Sequence, residues 1–206
     1  MRSRVAAAVV ATALVPAAAE PSPARRETLE RIVAVVDDRP VLLSELRAHE
    51  AVSGLPEDKA LEAAIDERLM NAEAARIPQA EVTSEEEDKA LALLLETHPA
   101  LRTEVAEPEL RRLLHRQLAI LKYVEFRFRP QLRVTDEEVR RAWRDEQAGR
   151  PAGPALEDEQ DAIRARLERR ALDERVEAWV KELRARADVR YVPAPPPRAG
   201  AGPAGP

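Results

Sequence analysis

The stretch from Leu110 to Phe128 constrains the chain more than any other, because Leu110, Leu113, Leu114, Leu118, Leu121, Val124 and Phe128 recur at steps of three and four. This spacing lines one side of an α-helix of about twenty residues with apolar side chains and demands a partner surface. Glu107, Pro108 and Glu109 suit its first turn, and Pro130 stops it. Weaker stripes repeat the demand. Leu61, Ile65, Leu69 and Ala72 predict a helix over 57–76, and Leu91, Leu94 and Leu95 another that Thr83 and Glu86 cap and His98-Pro99 ends. Thr135 with Glu138 caps a helix to about Gln147, and Ile163, Leu167, Leu172, Val176, Trp179 and Leu183 define a long one over 157–187. Only two Trp, two Tyr and two Phe occur in 206 residues, so the core must come from Leu, Val, Ile and Ala, which favours helix packed on helix.

Strand signals sit at opposite ends. Ile32 to Val36 is β-branched and apolar, Asp37-Asp38-Arg39-Pro40 reads as a turn, and Val41 to Leu43 is a second short segment before Ser44, a candidate N-cap with Glu45 in the following turn. Asp188 to Val192 alternates like a strand. Short strands left alone have unpaired backbone groups, so the two ends are expected to meet. The fold class is therefore mainly α, a helical domain closed by a small β-sheet built from an N-terminal hairpin and a C-terminal strand.

The amino terminus reads as a signal peptide over 1–19: Arg2 and Arg4, an apolar run from Val5 to Val15, then Ala17-Ala18-Ala19. The run is too short for a membrane span. Its removal takes away two Arg and no acid, moving the formal charge from -5 to -7. Residues 20–28 read as a linker, 29–192 as the folded domain with a Gly/Pro connector at 148–155, and 193–206 as a disordered Pro/Ala/Gly tail.

Most site chemistries find no support. There is no Cys, hence no disulfide or thiolate metal site. His49, His98 and His115 lie in separate segments without ligand spacing and read as surface or capping residues. Glu85-Glu86-Glu87-Asp88 is explained by the helix macrodipole. Arg111, Arg112, Arg116, Arg127 and Arg129 form a basic run. In an acidic chain it reads as a solvated face or a contact for acidic groups on a bound chain rather than as a nucleic-acid site. No catalytic residue, cofactor or metal is expected.

The ordered parts, Glu30-Arg31-Ile32-Val33-Ala34-Val35-Val36-Asp37-Asp38-Arg39-Pro40-Val41-Leu42-Leu43-Ser44-Glu45-Leu46, then helices to Arg129, then Val134-Thr135-Asp136-Glu137-Glu138-Val139 and the segment from Arg169 to Val192, resemble the SurA-type periplasmic chaperones. The resemblance spans about 29–192. Full-length relatives carry one or two parvulin prolyl-isomerase modules before the closing helix, where this chain has only its connector. The resemblance thus implies an ATP-independent periplasmic holdase for unfolded secreted or outer-membrane proteins, without isomerase activity. The alternative is a dedicated assembly or scaffold subunit binding one exported partner. Leu94, Leu114, Tyr123, Phe126 and Phe128 are the candidate peptide-binding residues, since they exceed what one helical face needs; packing against neighbouring helices is the competing use.

Overall fold

Backbone pairing at the β-branched segment organises the whole chain, which the computed structural model describes over residues 30–148 and 155–193. The expected leader, the linker, residues 149–154 of the connector and the tail from 194 lie outside the described residues. Strand β1 (Ile32–Val36) pairs antiparallel with β2 (Arg39–Leu42) on one edge and with β3 (Val189–Tyr191) on the other, giving the order β2-β1-β3. The N-terminal hairpin and the C-terminal strand thus meet, as expected. Val35 sits opposite Pro40 on one side and Arg190 on the other. Val192 N–H donates to Val33 O at 2.9 Å, and Asp37 N–H to Asp188 O at 3.0 Å.

The turn is shorter than the sequence suggested. Val36 pairs with Arg39, leaving only Asp37 and Asp38 in the loop, at φ 47° and 64°. Two consecutive left-handed residues make a tight hairpin whose twist matches its strands, and Asp tolerates that region better than most residues. Arg39 and Pro40 therefore belong to β2, an edge strand, where a Pro without an N–H costs no central ladder bond.

Helices α1 (Leu43–Ser53), α2 (Glu57–Ala74), α3 (Ser84–Thr97), α4 (Leu101–Glu104), α5 (Glu107–Arg127), α6 (Asp136–Gln147) and α7 (Leu156–Arg186) follow, with 3-10 turns at Pro78–Ala80 and Arg129–Gln131. Thr83 and Thr135 cap α3 and α6 in full capping boxes with Glu86 and Glu138. Ser44 does not cap α1. The helix starts one residue earlier, and Ser44 lies in its first turn. There its N–H and hydroxyl donate to Glu30 at 3.2 and 2.6 Å, while Glu45 accepts from Leu42 N–H at 2.9 Å. A carboxylate fourteen residues upstream thus accepts from Ser44 itself, whose N–H is one of the free donors of the first turn. Gly54 ends α1 at φ 66°, the left-handed position that favours glycine.

The main core joins the sheet (Val33, Ala34, Val36, Val41) to Leu46 of α1, Ala60, Ala64, Ile65 and Leu69 of α2, Val124 of α5 with adjoining Phe128, and Trp179 and Leu183 of α7. A second cluster, Leu91, Leu95, Leu101, Leu110 and Leu114, packs the N-terminal half of α5 against α3 and α4. Helix α5 is the shared wall between the two, which is why its apolar stripe runs along its whole length. The α6 helix pairs with the N-terminal half of α7, where Val139 and Ile163 are the only fully buried side chains among the described residues. Arg164 secures this arm by donating to Val134 O at 2.7 Å and to Asp136 at 2.6 Å.

Candidate functional site

The chain is poor in aromatics, yet three of its six gather where the C-terminal half of α5 meets α7. Tyr123 stacks on Trp179 with ring centroids 4.9 Å apart and planes 12° from parallel. Phe128 meets Trp179 edge-on at 5.4 Å and Tyr123 at 6.2 Å. Both contact types suit the aromatic quadrupole. Trp179 and Phe128 are buried and Tyr123 half-buried, whereas Phe126, one turn beyond Tyr123, is 51% exposed. Leu121 is 55% exposed on the same helix, about 140° around from Phe126 on an ideal helix, so the two flank the cluster rather than extend one patch.

The five residues singled out in the sequence fall into three environments. Tyr123 and Phe128 come together with Trp179; Phe126 faces solvent beside them. Leu114 is buried in the second core cluster with Leu94 packed against it, and an α-helix rise places Leu114 roughly 14 Å along α5 from Tyr123. Trp179 was legible only as one member of the α7 core stripe. Its partners across the helix pair could not be read from spacing.

Between α5 and α7 the aromatic cluster opens into a cleft of about 250 Å³, whose rim carries Arg127, Arg175, Glu182 and Arg186. The basic run of α5 divides here. Arg111 pairs with Asp88 and Glu107 at 2.7 and 2.8 Å, Arg112 with Glu109, and Arg129 with Glu125 at 2.9 Å. Arg116 is not on a solvated face at all. It is buried and pairs with Glu67 at 2.5 Å and Glu45 at 3.1 Å, while Arg68 Nη2 holds both Glu45 oxygens at 2.6 Å. Burial pushes the Glu67 carboxyl up, but His49 and Arg116 outweigh it and hold the group below the usual carboxylate range.

This network also corrects the reading of His49, which is neither surface nor cap. It is 6% exposed, with Nε2 lying 3.4 Å from Glu67 and making no aligned hydrogen bond. His98 does occupy the C-cap position of α3, with Nδ1 2.9 Å from Thr97 Oγ1, and exposed His115 meets Glu87 at 2.5 Å. The acidic run at 85–88 is spent on Lys89, the Thr83 box, His115 and Arg111. Hydrogen bonds from Lys122 and the Thr83 backbone bring Glu86 down to about 2. No group of three or more His, Asp or Glu among the described residues is arranged to hold a metal ion. None of the described helices is long and apolar enough to cross a membrane.

No family model matches the chain, and no curated protein is significantly similar to it.

Proposed function

We propose that this chain is an ATP-independent holdase-type chaperone of the periplasm that binds unfolded secreted or outer-membrane proteins and has no isomerase chemistry of its own. The observation that carries this reading is the aromatic surface at α5 and α7, graded from buried Trp179 and Phe128 through half-buried Tyr123 to exposed Phe126. An aromatic side chain of a non-native segment that docks on Phe126 and the rim of Tyr123 gains contact area without disturbing the core, and each fully buried anchor contributes about 1.5–3 kcal/mol. Such contacts ask little of the surrounding sequence, as a holdase requires. The hairpin, helical body and closing strand are the architecture that the SurA-type resemblance implies, and the short connector at 148–155 leaves no length for a parvulin module.

Titration of the chain against a labelled aromatic-rich peptide from an unfolded outer-membrane β-barrel, beside a folded control protein, tests the reading. Micromolar binding to the peptide alone, lost in Phe126→Ser, together with suppressed aggregation of several unrelated clients, is the expected result. One tight exported partner in pull-down with no effect on aggregation would turn the reading to a dedicated scaffold subunit. Accelerated prolyl isomerisation that disappears on denaturation would remove the clause on isomerase chemistry.

A further inference from the structure

Resting on the peptide-binding reading above, we infer that the cleft between α5 and α7 selects segments in which a carboxylate neighbours an aromatic side chain. Arg175, Trp179, Glu182 and Arg186 follow one another on α7 at steps of four, three and four, so they share one stripe. Tyr123 and Arg127 face them from α5, one turn apart. The result is a stacked aromatic floor with three guanidinium groups at its rim.

Those three cations are distinguished by what they do not touch. Arg111, Arg112, Arg116 and Arg129 are each paired with a carboxylate of this chain, but Arg127, Arg175 and Arg186 form no ion pair among the described residues. Arg186 spends its Nε on Glu182 O at 3.2 Å, a backbone acceptor. Glu73, the other acid at the cleft, is already held by Arg76 at 2.8 Å. One unpaired carboxylate, Glu182, therefore stands against three exposed guanidinium groups, in a protein whose acids as a whole outnumber its bases by 38 to 33. Planar guanidinium forks bind carboxylates through two parallel hydrogen bonds, stronger than neutral ones. At about 250 Å³ the cleft is smaller than the usual 300–1,000 Å³ of a small-molecule site and matches one or two side chains of a chain lying across it. The overall negative charge disfavours a polyanion such as nucleic acid, whereas a short acidic-aromatic segment presents its charge only where the Arg side chains are.

Three labelled peptides of equal length separate the terms: alternating Phe and Asp, alternating Phe and Asn, and alternating Ser and Asp. Each is titrated by fluorescence anisotropy against the purified chain and against an R127Q/R175Q/R186Q variant whose Tm is checked in parallel. The Phe/Asp peptide is expected to bind at least about tenfold more tightly than either control, with the gap over Phe/Asn closing in the variant and in about 0.5 M salt. Equal binding of Phe/Asp and Phe/Asn would overturn the charge selection while leaving peptide binding intact. Failure of both would overturn the peptide-binding reading and this inference together. A Phe/Asp peptide indifferent to the variant would show that the selecting groups lie elsewhere, and tighter binding by an oligothymidylate of matched charge would replace the peptide by nucleic acid.

Discussion

At the residue scale, Arg116 is a cation taken out of solvent into a helix interface. Its guanidinium lies between Glu67 and Glu45 on three packed helices, with Arg68 balancing the second acid. Removing one member of a buried ion pair leaves a charge without compensation, which costs about 3–5 kcal/mol, so Arg116→Ala should lower the urea midpoint far more than Arg112→Ala, which breaks an exposed pair worth at most about 1 kcal/mol. Equal effects of the two variants would show that the buried network does not hold the helices. Glu67 carries the pH dependence. Its folded value lies below the ordinary 4.5, so its contribution is complete above that pH and is lost as pH falls through the depressed folded value. The stability gap between wild type and Glu67→Gln should therefore be widest near neutrality and narrow progressively below about pH 4.5 in urea titrations. A gap independent of pH would mean that the carboxylate charge is not what the site uses. Sequence spacing held a clue. Glu67 follows Ala64 by three on the buried stripe of α2, and Arg116 follows Leu113 by three on that of α5, so charged residues at apolar positions on two helices were candidates for one buried pair.

At the element scale, local capping and long-range closure act differently. The Thr83 box on α3 is satisfied by Glu86, whose value of about 2 keeps it ionised through mild acid. Thr83→Ala should cost about 1 kcal/mol, and the loss should be the same at about pH 4 as at neutrality, because Glu86 gives up its charge only as pH falls through its folded value. The closing strand depends on the whole chain. Val189 packs against the main core opposite Val36, Arg190 reaches Asp38 at 2.9 Å, and Tyr191 donates its hydroxyl to Glu62 at 2.8 Å. Arg184, just before it, holds Glu62 and Asp66 of α2, and this raises its already high pKa further. Val189→Asp places a charge against this apolar layer and should lower Tm and broaden the transition in thermal scans. An unchanged Tm, or a chain truncated before Asp188 that melts like the full one, would show that the sheet does not close the fold.

At the scale of the whole molecule, the two core clusters share α5, whereas the arm of α6 and the first half of α7 has only Val139 and Ile163 fully buried. Local stability follows buried contact, so amides of α6 and of α7 before Leu172 should exchange with solvent faster than those of α2 and α5. Protection in the arm equal to that in α5 would contradict this division. The sequence by itself determined most of the elements, because helical stripes, Thr caps and Pro stops act within a few residues: α3, α5, α6 and α7 lie close to where spacing puts them, and the strand signals at opposite ends pair with each other. Tertiary structure alone decided what depends on distant partners. Glu30 rather than Ser44 serves the start of α1, the Asp37-Asp38 turn admits Arg39 and Pro40 to β2, and His49 and Arg116 become interior. Trp179 stacks on Tyr123 while Phe126, three residues on, is left to solvent. Helical periodicity states which side chains share a face; which face is covered, and which cation finds a carboxylate there, is set by the neighbours that pack on α5, with α1 and α2 bringing Glu45 and Glu67 to Arg116 and α7 bringing Trp179 to Tyr123.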